Sequence, residues 1–329
     1  FSSRRRHTRS FHVTGVQTCA LPIYAYEAGI SRARLYAIQL NELDSAGMML
    51  DALVANPRTS VSVKARAKLE LGDIFVIRNE PWEATLLFSQ VEKMQKDSPV
   101  GYDAKLRNAR LSYFRGDFKL AEEHLDILKQ ATTREISNDA ISLSLRIKEN
   151  TLEDTLGIAL KIYAASELLL YQNKQAEALN LLNLIKPGKK PALVAKTTIL
   201  SAVFEDALFR KVEHGTDSLS ITMENPPEAR MITDDVYWLE AGIRRKAGAA
   251  EQAKALLLKI VQEFPDDVLS DDAAFTAAEI EELDLRQTEA AMESYREFLN
   301  KYPGSVYAAE ARKRFRVLRG DFNQPPPVN

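Results

Sequence analysis

Residues Ala250 to Pro265, AEQAKALLLKIVQEFP, and Thr288 to Pro303, TEAAMESYREFLNKYP, are two versions of one pattern, and their comparison decides the fold. Each carries apolar residues at three- and four-residue spacing, the period of a helix that buries one face. Each ends in an aromatic-proline pair, Phe264-Pro265 and Tyr302-Pro303, and the two prolines lie 38 residues apart. An acidic pair opens the helix before each, Asp234-Asp235 and Asp271-Asp272, 37 residues apart. Aspartate accepts from the free amides of a first turn and complements the helix dipole, whereas proline stops a helix from continuing. The unit is therefore a helix, a turn and a second helix.

Upstream, the same spacing returns as alanines early in second helices: Ala46, Ala84, Ala121, Ala178, Ala253 and Ala291, separated by 38, 37, 57, 75 and 38 residues. The 75 is two periods and implies a degenerate unit near 190–228; the 57 implies one period plus an extra helix near 134–149. Apolar periodicity predicts helices at about 26–40, 44–55, 60–78, 82–96, 102–115, 117–130, 134–149, 156–171, 174–185, 190–212, 233–247, 249–264, 269–284, 287–301 and 305–319. Sustained two-residue alternation is absent, so the chain reads as all-α.

These residues resemble the tetratricopeptide repeat family, in which a Leu-Gly pair lies mid-way along the first helix, a glycine turn follows, alanine sits early in the second helix and proline closes the unit. Leu71-Gly72, Phe75, Ala84, Phe88 and Val91 match one copy, and Gly116-Asp117-Phe118, Ala121, Leu125 and Leu128 another. Gly248, Ala253, Leu257, Ile260 and Pro265 match a third; Phe275, Ala291, Tyr295, Phe298 and Pro303 a fourth. Ala46, Leu50 and Leu53, and Ala178, Leu182 and Ile185, match more weakly. Ala109, Ser166, Ala241 and Glu279 depart from the mid-helix glycine, and the units are longer than the family's. The resemblance implies a right-handed α-solenoid of stacked hairpins over residues 24–320, about seven units, with 305–319 as a capping helix and 321–329, rich in proline, disordered.

The first 23 residues have another character. FSSRRRHTRS is basic without an apolar face, and VTGVQTCALPI, Val13 to Ile23, resembles the translation of a sequencing-adapter oligonucleotide. Residues 1–23 are therefore expected to be a non-native, disordered segment, behind which a native leader or lipid anchor would be missing. Setting them aside removes the single cysteine, Cys19, and leaves 40 basic and 46 acidic residues, a net charge of −6. That balance opposes a dedicated nucleic-acid binder, whose phosphate contacts need a basic excess. No apolar run reaches the ~18 residues of a transmembrane helix.

Chemistry-bearing constellations are scarce. His124 and His214 are far apart, and neither has a second histidine or a cysteine at ligand spacing; His124 reads as a solvent-facing helix residue and His214 as a helix-end cation. The acidic run Glu279, Glu281, Glu282 and Asp284 lacks the glycine-centred loop of a calcium site and reads as a solvated helix face. Arg312 to Arg316 form one short basic helix. With no phosphate loop, dinucleotide fingerprint or nucleophile elbow, neither catalysis, cofactor nor metal is expected.

The resemblance implies instead a concave groove lined by first helices that accepts a peptide or partner domain, and the family's groove positions fall on Arg66, Arg110, Tyr113, Tyr163, Trp238 and Arg245. Aromatic residues and arginine dominate binding hot spots, which favours Trp238 and Tyr113; for Trp238 and Tyr163 the competing assignment is ordinary inter-repeat packing. Phe264 to Asp267 and Tyr302 to Arg314 also resemble repeats of bacterial cell-envelope proteins, outer-membrane assembly lipoproteins and periplasmic division coordinators. This implies a periplasmic or outer-membrane-associated scaffold, with membrane association through a missing N-terminal anchor. The alternative is the regulatory region of a larger cytoplasmic protein whose catalytic or DNA-binding domain lies N-terminal to residue 24.

Overall fold

The computed structural model describes residues 15–130, 134–151, 157–186 and 232–321, with side chains from Tyr24 onward. It is all-α: the described residues contain helices and no strand. Among the described residues there are six hairpins. They are α1 (Gly15–Ile38) with α2 (Leu43–Ala55), α3 (Val61–Ile77) with α4 (Pro81–Met94), α5 (Pro99–Phe114) with α6 (Phe118–Leu128), α8 (Ile158–Tyr171) with α9 (Gln175–Ile185), α10 (Thr233–Lys246) with α11 (Ala250–Glu263), and α12 (Leu269–Glu279) with α13 (Thr288–Lys301). A lone helix, α7 (Arg134–Thr151), precedes α8, and α14 (Ala308–Arg319) follows the last hairpin. The expected degenerate unit near 190–228, the proline-rich end after Asp321, and His214 lie outside the described residues. The first helix begins at Gly15, so residues 15–23, expected to be disordered, are helical backbone. Extending a formed helix costs far less than nucleating a new one.

The chain divides into two compact units, one built from residues up to Tyr113 with Asp117–Leu145, the other from Phe114–Gly116 with residues from Arg146 on. In the first, α1 and α2 pack on α3, and Ile30, Ala33, Ala37, Ala46, Leu50, Val63, Ala67, Leu71 and Ile74 form a core shared by both hairpins. In the second, Tyr237, Ala241, Ala253, Leu257, Ile260, Ala273, Ala277 and Ile280 join α10 and α11 to α12. Phe275, Ala278, Ala291, Tyr295, Phe298 and Ala311 carry the stacking on to α14, with Phe275 lying flat on Tyr307 at 4.6 Å between ring centres.

The alanine ladder is a packing device. Ala46, Ala84, Ala121, Ala178, Ala253 and Ala291 are all fully buried, where a missing side chain lets two helix backbones approach. Five residues before each stands a residue in the left-handed region: Asn41, Asn79, Gly116, Asn173, Gly248 and Arg286, with φ between +55° and +78°. The amide after it folds back onto the first helix: Glu80 N–H donates to the Phe75 carbonyl, Asp117 to Ser112, Lys174 to Leu169 and Ala249 to Arg244. That bond ends the first helix with its last carbonyls satisfied and aims the second helix back along the first. Gly72 has a different purpose: a Cβ there would run into the Phe88 ring, with two further ring carbons at 2.9 Å.

The aromatic-proline ends behave as their residue types dictate. Phe264 and Tyr302 leave the helical region with ψ of 58°, as residues before proline are pushed to do. The helix expected over 269–284 changes at Ile280 into a π-helical turn, Ile280–Asp284, which adds slack before the Arg286 turn.

Candidate functional site

The face shared by successive first helices carries the charged candidates, and the structure gives each an internal partner. Arg66 on α3 pairs with Glu27 on α1 at 2.7 Å; the arginine side chain is 50% exposed. Arg110 on α5 pairs with Asp139 on α7 at 2.8 Å and is also half exposed. Arg245 on α10 donates to Glu279 at 2.8 Å and to Asp284 at 2.6 Å, crossing to α12 and its π turn. Each arginine therefore links its helix to a neighbouring first helix or to α7, while Arg66 and Arg110 keep half their surface open.

Tyr113 and Tyr163 are corrected from groove residues to core residues. Both are 1% exposed, so neither touches a partner while the core stays closed. Tyr113 lies against Phe118 with ring centres 5.8 Å apart. Tyr163 lies under the Arg146 guanidinium, 5.5 Å from its carbon, and burial, then the charges of Glu167 and Asp235, push its hydroxyl well above the usual pKa. Trp238 is half-buried and packs against the core of α10 and α11.

Sequence reasoning missed the more heavily engaged cations. Arg107 on α5 reaches Asp73 on α3, Asp103 one turn away at 3.1 Å and the Leu69 carbonyl at 3.3 Å. Burial works against its charge, but Asp73, Asp103 and Glu70 outweigh that and raise its pKa. Arg146 on α7 joins Glu167 on α8 at 3.4 Å and Asp235 on α10 at 3.1 Å. Arg314 on α14 joins Glu279 at 3.1 Å, Glu282 at 3.2 Å and Glu310 at 3.1 Å. A signal was present: Asp44 and Arg78, Asp73 and Arg107, and Arg245 and Glu279 are opposite charges 34 residues apart, and all three pairs meet.

Of Glu279, Glu281, Glu282 and Asp284 only Asp284 is exposed, so the run is not the solvated face expected. Glu281 is buried, accepts from the Ser294 hydroxyl at 2.6 Å and faces Lys254; Glu282 accepts from the Tyr295 hydroxyl at 2.7 Å. The π turn shifts these carboxylates off the plain helical register that made them look outward. His124 is half-buried rather than solvent-facing, and burial, then the neighbouring charge of Lys105, lowers its pKa.

Asp234 and Asp235 are buried at the start of α10, close to the exposed Asp267, in the turn after α11, and to Arg146. Burial and the charges of Asp235 and Asp267 push the Asp234 carboxyl up to about 7. Asp235 is raised as well, by burial, against the pull of Arg146. Among the described residues no group of three or more histidine, cysteine, aspartate or glutamate side chains is arranged to hold a metal ion. None of the described helices is long and apolar enough to cross a membrane.

A scan against protein-family models finds no match to the chain, and a search of curated proteins finds none either.

Proposed function

We propose that this protein is a non-enzymatic interaction scaffold of the tetratricopeptide type, which uses its first-helix face to hold a peptide or partner domain rich in carboxylates. The observation that supports this reading is the pair Arg66 and Arg110. They stand on successive first helices of one unit, each half exposed and each held by a single carboxylate. Exposed ion pairs contribute only about 0–1 kcal/mol, so an incoming carboxylate displaces the internal one at little cost, and arginine offers several donors in a fixed fork. Arg107, ringed by acids and only 21% exposed, serves as the fixed brace between them.

The likeness of Phe264–Asp267 and Tyr302–Arg314 to envelope repeats supports work in the bacterial cell envelope, on the periplasmic side. The binding reading is tested by selecting displayed peptides on the whole chain. Wild type should enrich acidic peptides, and a variant with Arg66→Glu and Arg110→Glu should lose them while staying folded by circular dichroism. Equal enrichment on both proteins, or no acidic bias, would count against the reading. Fractionation of cells expressing the natural gene tests the location.

A further inference from the structure

Charges on α3 and α5 follow the same spacing with their signs reversed. Arg66, Glu70 and Asp73 step by four and three residues along α3, and Asp103, Arg107 and Arg110 step likewise along α5, so each trio shares one side of its helix. The trios meet at their centre: Arg107 takes Asp73, with Asp103 at 3.1 Å and Glu70 at 3.9 Å. The arginines at the two ends are completed from the flanking helices. Arg66 receives Glu27 from α1 at 2.7 Å, and Arg110 receives Asp139 from α7 at 2.8 Å.

We infer that Glu27 and Asp139 are resident competitors, carboxylates that occupy the two open arginines in the free protein and so determine how strongly an acidic ligand is held. The competition rests on the reading of this face as a site for acidic ligands. An arriving carboxylate finds each guanidinium engaged by a group of its own chemistry, so it exchanges one charge-assisted pair for another. The displaced carboxylate stays on its helix as a like charge beside the ligand, which costs further affinity. An exposed pair of this kind is worth at most a factor of about five, so each acid lowers the affinity severalfold without closing the site. Plain bracing between helices predicts the opposite sign. If Glu27 and Asp139 served only to hold the stack, removing them would loosen the face and weaken whatever binds it.

Fluorescence anisotropy of the full chain with a hexaglutamate peptide, amidated and carrying a neutral fluorophore, tests this. Glu27→Gln combined with Asp139→Asn should bind the probe about tenfold more tightly than wild type, and each single variant about threefold, all staying folded by circular dichroism. Glu83→Gln combined with Glu123→Gln changes the net charge equally at exposed positions on α4 and α6, and should stay within about twofold of wild type. Affinity unchanged or lowered in the Glu27 and Asp139 double variant, or raised as much by the α4 and α6 pair, overturns the competition; the acidic-ligand reading then still stands if Arg66→Glu with Arg110→Glu abolishes binding. A probe that none of these proteins holds overturns both.

Discussion

Arg286 holds a left-handed backbone, φ +56°, five residues ahead of the fully buried Ala291, and among the described turns it is the one residue at that step that is neither glycine nor asparagine. A side chain in this region costs roughly 1–2 kcal/mol, whereas glycine pays nothing there but loses more freedom on folding. Arg286→Gly should therefore stabilise the protein by about 0.5–1 kcal/mol. Thermal denaturation reads this directly, and an unchanged or lower midpoint would mean that the Arg286 turn is not under strain.

Gly72 makes the opposite case. Alanine is the better helix former by ~1 kcal/mol, yet its methyl would enter the Phe88 ring, which is 1% exposed and has nowhere to turn. Gly72→Ala should lose about 1–2 kcal/mol net, and adding Phe88→Leu should recover part of that. Urea denaturation of the single and double variants separates the two effects.

Ala121 and Ala253 sit at the helix crossings with no exposed surface. Replacing either with tryptophan should cost upward of ~1–3 kcal/mol by overpacking. A calorimetric scan with no loss would remove the packing role given to the ladder.

Asp234 makes stability depend on pH. Its carboxyl is held at about 7 in the folded chain against an ordinary 3.8, so the folded state binds its proton more tightly. The unfolded chain therefore gives up that proton first, and this contribution to stability falls as pH rises from about 4 to about 7, then levels off. Asp234→Asn should flatten that slope and raise the midpoint at pH 8, by an amount on the order of 1 kcal/mol once solvent screening is allowed for. Melting curves across that pH range, wild type against variant, decide it.

The two kinds of arginine should separate in mutation. Arg107→Ala leaves Asp73, Asp103 and Glu70 facing one another with little water and should cost about 1–3 kcal/mol, less at high salt. Arg66→Ala breaks one half-exposed pair and should cost under ~1 kcal/mol. Equal losses would contradict the distinction between brace and open cation.

Most of the helices were legible in the sequence because two strong signals agree, apolar periodicity and the recurrence of alanine. The acidic pairs and the proline stops placed α10 to α13 to within a few residues. Legibility failed where tertiary contacts override local pattern. Tyr113 and Tyr163 have the residue type of a hot spot and the burial of a core, and only the tertiary packing decides which. Glu281 looks solvated on a regular helix and is buried because a π turn rotates it inward. Arg286 gave no warning at all, since arginine is not a turn residue; its conformation follows from the spacing to Ala291.

The turns also define where one module of the chain stops and the next starts. A segment from Glu42 to Asn79 opens just after one left-handed residue and closes on the next, and Glu42 and Glu80 share a ψ of 66°. Excising it would splice Asn41 directly to Glu80, between backbone states that already match. Duplication and loss of hairpins in such a gene would leave the joints unstrained if the breakpoints fall in the turns, and would break them if they fall at helix starts.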